Sequence, residues 1–310
     1  MFWLVLVFLL LANPVGAAGK KDADSYYQQG RWALAAQEYE RLIPLEKQPS
    51  REDMKNLAWS LFNGEQFERS YDEWKKIESL FPDDAEARIN IVMLECLRDR
   101  NISRLDGMLQ KEGNKNPLLV RAMAIAALWL KPPAQAIKYF TEELELDADD
   151  YMSWFWLGTV YEQQENYDEA IKAYMRAVDA DPHFAQALNN LGYNCKEKGY
   201  YTFALRYYKD AIGEDPSNSG YYYNLGNVYT IKGMIPDAYD SYKKALSLDP
   251  AFAKAHYNMG MTYERMGAPK AAIEEFKLYI KYWNPSIPIE DAPPIEYVKK
   301  QISRLREDGR

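Results

Sequence analysis

Three asparagines, Asn190, Asn224 and Asn258, stand 34 residues apart, and the same place in the 34-residue frame is Asn56 and Asn90 further upstream. A primary amide offers two donors and an acceptor, so it can pair with a peptide backbone while ignoring the side chain beside it. Around these amides lie Asn227, Tyr193, Tyr223, Tyr257, Phe155 and Trp156, with Lys254 four residues before Asn258. Rings beside amides suit an extended peptide, or a sugar chain stacking on aromatic faces. The middle of the chain breaks the series, with Ala122 and Trp156 at the asparagine place. Covalent chemistry finds no comparable foothold. There is no H-E-x-x-H, no G-x-S-x-G and no phosphate loop. Two histidines and two cysteines in 310 residues leave little material for a metal centre, so no catalytic residue, metal or cofactor is expected. A net charge of −8 argues against binding a nucleic-acid backbone.

The elements that must position the asparagines follow from the same period. Trp154-x-x-Leu157-Gly158-x-x-Tyr161 returns as Leu188-x-x-Leu191-Gly192-x-x-Cys195, as Tyr222-x-x-Leu225-Gly226-x-x-Tyr229 and as His256-x-x-Met259-Gly260-x-x-Tyr263. Ala170, Ala204, Ala238 and Ala272 recur downstream, then Tyr174, Tyr208, Tyr242 and Phe276. Apolar residues at 3–4 spacing mark one face of a helix. A mid-helix glycine costs about 1 kcal/mol against alanine, so Gly158, Gly192, Gly226 and Gly260 imply close helix contact, with the small alanines of the second helix as the expected neighbours. Asp181-Pro182, Asp215-Pro216 and Asp249-Pro250 close the units, because proline cannot continue a helix. Helical pairs that cannot bury their faces alone must stack.

These residues resemble the tetratricopeptide repeat (TPR), a 34-residue helix–turn–helix unit. The resemblance is strongest over four units at 151–285, persists in divergent units at 51–150, where 85–116 is degenerate, and includes a linker and degenerate unit at 18–50. It implies an all-α, right-handed superhelical solenoid of about 7–8 repeats. A linker and an amphipathic helix at 286–310, with Ile295, Val298, Ile302 and Leu305 on one face, are expected to cap the last repeat. Length alone suggests two domains of about 150 residues; the repeat replaces that expectation with one solenoid. Cys96 and Cys195, about three units apart, are expected as separate buried thiols.

In the family's frame the first helix of each unit lines a concave groove, which places Asn56, Asn90, Asn190, Asn224, Asn258, Asn227, Trp156, Tyr193, Tyr223, Tyr257 and Lys254 there. The asparagine series looks like the ladder in the TPR superhelix of O-linked N-acetylglucosamine transferases. The two-carboxylate clamp of chaperone-binding TPR proteins is only fragmentary here: Asn224, Lys254 and Asn258 give fragments of one, and Lys55, Asn56 and Trp59 begin another that nothing in 85–116 completes.

Residues 2–12, FWLVLVFLLLA, form an apolar run too short for a membrane span. Asn13-Pro14 breaks it, and Val15-Gly16-Ala17 gives small residues at −3 and −1 of a cleavage site. This predicts a signal peptide at 1–17 and a periplasmic or secreted mature chain with no stable membrane span. The expected function is an exported scaffold or adaptor, holding an extended segment of a partner protein in an envelope or secretion assembly. The alternatives are a glycan-binding subunit of a polysaccharide export system and a self-associating structural module.

Overall fold

A computed structural model describes residues 14–46, 49–113, 115–130, 132–283 and 293–308. The apolar run at 2–12 and most of the expected linker, 284–292, lie outside the described residues. Within them the chain is all-α, without strands, and its helices pack as consecutive pairs. The pairs are α1 (Pro14–Gln28) with α2 (Trp32–Leu42), α3 (Arg51–Asn63) with α4 (Phe67–Leu80), and α5 (Ala85–Asp99) with α6 (Ser103–Glu112). Next come α7 (Pro117–Leu130) with α8 (Pro133–Leu146) and α9 (Tyr151–Gln163) with α10 (Tyr167–Ala180). The well-patterned part continues with α11 (Ala185–Glu197), α12 (Tyr201–Glu214), α13 (Ser219–Ile231), α14 (Ile235–Leu248), α15 (Ala253–Arg265) and α16 (Pro269–Tyr282). A last helix, α17 (Ile295–Asp308), follows. No helix among the described residues is long and apolar enough to cross a membrane.

Local chemistry sets the boundaries. Asp84, Asp150 and Asn218 cap α5, α9 and α13 by accepting hydrogen bonds from backbone N–H groups of the first turn. In the Asp-Pro breaks the carboxylates of Asp181, Asp215 and Asp249 accept from the N–H two residues on, closing a turn around the proline. The degenerate unit shows in α6, which has only 10 residues.

The mid-helix glycines have a partner other than the one their spacing suggests. A Cβ on Gly158, Gly192, Gly226 or Gly260 would come within 2.6–2.9 Å of a ring carbon of Tyr174, Tyr208, Tyr242 or Phe276. It is the ring of the second helix, not its small alanine, that the glycine admits. The alanines are fully buried all the same.

The helices group into two compact units, residues 1–187 and 188–310, with the boundary inside α11. In residues 1–187 the core runs through Met54, Trp74, Ile77, Met93, Leu105 and Phe140. The first pair adds Ala23, Ala35, Tyr39 and Leu42 against Leu57 and Leu61 of α3. This unit also closes on itself. The Trp32 Nε1–H donates to Gln186 Oε1 at 3.0 Å, and its ring meets Phe184 edge-on. Gly30, with φ +71°, lets that phenylalanine approach the α1–α2 turn. In residues 188–310, Val298, Ile302 and Leu305 of α17 bury against Ile273, Phe276 and Tyr279 of α16. The last helix therefore covers the final pair, as its apolar face implied. Cys96 and Cys195 are buried free thiols.

Candidate functional site

The first helices of residues 188–310 carry two hydrogen-bonded amide clusters. Asn224 Nδ2 on α13 donates to Asn189 Oδ1 on α11 at 2.9 Å, and Asn189 Nδ2 donates to Asn190 Oδ1 at 3.2 Å. Asn258 Nδ2 on α15 donates to Asn227 Oδ1 on α13 at 2.8 Å. The Tyr242 hydroxyl donates to the same Asn227 oxygen at 2.8 Å and meets Thr230 Oγ1 at 3.0 Å. Asn224 and Asn258 thus each tie one helix pair to the pair before it. All five asparagines are partly exposed. Asn224 Oδ1 and Asn258 Oδ1 accept no hydrogen bond among the described residues, so two carbonyls a repeat apart remain as acceptors.

The neighbouring side chains are placed as follows. Tyr223 packs 4.9 Å from Phe252 and 6.1 Å from Tyr242, measured between ring centroids. Tyr257 lies against Phe276 and Tyr279, and burial raises its hydroxyl pKa. Lys196 Nζ sits 4.4 Å above the Tyr193 ring. Lys254 is partly buried, one helical turn before Asn258, and makes no ion pair among the described residues.

Tyr242 is the residue that spacing missed. Its ring is core, as the period implies, but its hydroxyl holds the Asn227–Asn258 cluster. The signal was a tyrosine where the next unit has Phe276: a buried hydroxyl needs a hydrogen-bond partner.

Residues 1–187 use the equivalent positions differently. Asn90 is 3% exposed and its Nδ2 has no hydrogen-bond partner among the described residues. It faces no solvent and presents nothing to a ligand. Asn56 donates to the Tyr39 hydroxyl at 3.2 Å, and that hydroxyl donates to Asp24 at 2.7 Å. Trp156 shares a cavity of about 50 Å³ with Tyr27, Trp59, Asn63, Arg121, Ile125 and Met152. For Asn56 and Trp156 the physical reason is the α1–α2 pair. Lys20 pairs with Asp53 at 2.6 Å, and Tyr27 lies over first-helix residues of α3, α7 and α9.

The clamp fragment begun by Lys55 is consumed within the fold, and a neighbouring arginine is matched in the same way. Lys55 pairs with Asp84 and Glu86, both at 2.9 Å. Arg121 pairs with Asp150 at 2.9 Å and Glu86 at 3.4 Å, beside the Trp59 ring. Cations already matched to carboxylates have little left for an acidic peptide. Close by, Glu143 is 1% exposed. Burial, with the Asp150 charge next, pushes its carboxyl up to about 8.

His256 occupies a structural position. It is 5% exposed, with Nδ1 2.7 Å from a Glu275 oxygen and Nε2 3.0 Å from the Pro250 carbonyl. Both nitrogens face acceptors, so the ring satisfies both only when it is protonated. Burial opposes that charge, yet Glu275 and the Pro250 carbonyl together raise its pKa above 6.5.

Comparison with known proteins places these units. The family description "Tetratricopeptide repeat" matches residues 122–185, 160–193, 185–218 and 253–282, and "TPR repeat" matches 226–267. TPR repeat-containing protein MJ0941 of Methanocaldococcus jannaschii is 36% identical over 53 residues, 17% of this chain and 16% of that protein. General transcriptional corepressor ssn6 of Schizosaccharomyces pombe is 44% identical over 46 residues, 15% of this chain and 4% of that protein. The matched segment is thus a small part of either relative. Among solved structures, a MamA protein superposes with TM-score 0.51 at 23% identity, covering 57% of this chain and 97% of MamA. YrrB, a TPR protein with an unusual peptide-binding site, gives 0.50 at 21%, covering 57% of this chain and 91% of YrrB. These two likenesses concern the fold.

Proposed function

Because the chain belongs to the tetratricopeptide repeat family, we propose that it is a non-catalytic interaction scaffold holding an extended polypeptide segment of a partner protein on the first-helix face of residues 188–310. The observation that carries this reading is the direction of the amide hydrogen bonds. Asn224 and Asn258 commit their N–H groups to the preceding repeat and leave Oδ1 as an acceptor. Acceptors repeated at the spacing of the helix pairs suit backbone N–H groups of an extended chain. Tyr193, Tyr223, Tyr257 and Lys254 flank them and supply side-chain selectivity.

The ring contacts favour polypeptide over glycan. Tyr223 packs against Phe252, Tyr257 against Phe276 and Tyr279, and Tyr193 beneath Lys196. Rings packed in this way offer sugars fewer open faces for stacking. The apolar run at 2–12 with the small residues before Ala18 supports export, and we place the scaffold in an envelope or secretion assembly. N-terminal sequencing of the protein recovered from its native envelope tests export. A start near Ala18 is expected, and a start at Met1 rejects a cleaved signal.

Peptide recognition is tested on an array of immobilised extended peptides. Bound sequences are expected to tolerate alanine replacement of most side chains and to lose binding on backbone N-methylation. Binding that survives N-methylation rejects recognition of the backbone.

A further inference from the structure

Six large apolar side chains are exposed among the described residues of 188–310: Tyr200, Phe203, Ile231, Met234, Met266 and Tyr297. All but Tyr297 lie at the turns joining the first helix of a pair to the second, α11 to α12, α13 to α14 and α15 to α16. Alternate turns of stacked antiparallel helices fall on one edge, so these five share it. Their exposures run from 37% to 53%. Gly199, Gly233 and Gly267, each with φ between +71° and +76°, reverse the chain there and leave the flanking side chains at the apices. The opposite edge holds Asp215-Pro216 and Asp249-Pro250 and exposes no large apolar side chain among the described residues.

The same turns are basic in a chain of net charge −8. Lys198, Arg206, Lys232, Arg265 and Lys270 are all exposed. Arg206, Lys232, Arg265 and Lys270 make no ion pair among the described residues, and Arg206 lies over the Phe203 and Tyr207 rings. The acids nearby are Asp237, Glu197, which is held by Lys196, Glu264, which is held by Arg304, and, level with Arg206 on the other second helices, Asp240 and Glu274, the latter held by Lys277.

From this pairing of protruding apolar tips with basic residues, we propose that the edge formed by these three turns docks on an anionic lipid bilayer surface. Aromatic and aliphatic side chains enter the boundary between headgroup and acyl chain, while lysine and arginine meet the lipid charge. A bilayer suits the shape better than an acidic protein does. Binding hot spots between proteins sit in packed, desolvated pockets, whereas these side chains protrude one or two from each of three successive turns, and a deformable surface accepts each of them.

The test is co-sedimentation of the full chain with vesicles of phosphatidylcholine alone and of phosphatidylcholine with about one-third phosphatidylglycerol. Binding is expected to the anionic vesicles, weak with the neutral ones and reversed by high salt. Tyr200→Ser/Phe203→Ser and Lys232→Glu/Lys270→Glu, all at exposed positions, are each expected to reduce partitioning roughly tenfold or more with unchanged helicity. Lys243→Glu/Lys244→Glu, a charge-matched change on α14, is expected to bind within about threefold of wild type. Failure of the wild type to bind anionic vesicles overturns the proposal, as does equal loss in the α14 control. Binding to soluble polyglutamate without vesicle binding assigns the edge to an acidic protein and overturns it too.

Discussion

Gly226→Ala separates helix propensity from packing at one atom. The new Cβ would lie 2.6 Å from Cε1 and 2.8 Å from Cδ1 of Tyr242. Carbon atoms rest about 3.5–4.0 Å apart, so the ring must retreat by roughly 1 Å. Tyr242 is 1% exposed and held at its far end by Thr230 and Asn227. Overpacking of this kind costs about 1–3 kcal/mol. Each hydrogen bond stretched or lost adds about 1 kcal/mol. Alanine returns about 1 kcal/mol of helix propensity, leaving a net loss of about 1–3 kcal/mol. Gly213→Ala is the matched control. It also lies in a helix, but its Cβ would meet nothing within 4 Å, so a gain of a few tenths up to about 1 kcal/mol is expected. Urea unfolding followed by circular dichroism measures both. If Gly226→Ala is as stable as wild type or more so, the glycine is not there to admit the ring, and the packing argument fails.

Other consequences follow from individual side chains. Glu143 is held up to about 8, so the folded state binds a proton that the unfolded carboxyl releases near 4.5. Stability therefore falls as pH rises between those values, and Glu143→Gln should flatten that dependence; unaltered pH dependence of thermal unfolding contradicts the assignment. The raised His256 contributes in full below about 6.5 and is lost as pH climbs through its folded value. His256→Ala should remove that alkaline decline and cost about 1.5–3 kcal/mol at pH 6 for hydrogen bonds to a charged group, as read by denaturant titration across pH. Val298→Asp would bury a carboxylate between α16 and α17, and the loss of several kcal/mol should appear as a lower unfolding midpoint; an unchanged midpoint would mean that α17 does not cap the last pair.

The helix pairs were legible because each boundary is written locally. A mid-helix glycine, a buried ring 16 residues on and an Asp-Pro break recur as one pattern, and each is a short-range statement about dihedrals or packing. Which residue meets the glycine was not legible. Alanine and tyrosine both lie on the second helix, and the rotation of one helix against the other decides which of them faces the gap.

The ladder positions of 188–310 were likewise readable from spacing, whereas their fate in residues 1–187 was not. Trp156 shares its cavity with Tyr27 of α1, and Asn56 is held by Tyr39 of α2. The closure of this unit rests on contacts such as Trp32 with Gln186, separated by 154 residues. No local periodicity encodes such a contact. The pairing of Lys55 and Arg121 with Asp84, Glu86 and Asp150 is hidden for the same reason.

The central claim is that the amides of α11, α13 and α15 hold a partner's backbone. Its most direct test is the affinity of an array-selected peptide for the wild type and for Asn190→Ala/Asn224→Ala/Asn258→Ala, by fluorescence anisotropy, with helicity checked by circular dichroism. At about 1 kcal/mol for each hydrogen bond lost, the triple variant should bind at least tenfold more weakly while remaining helical. Equal affinity in a folded triple variant would contradict the account.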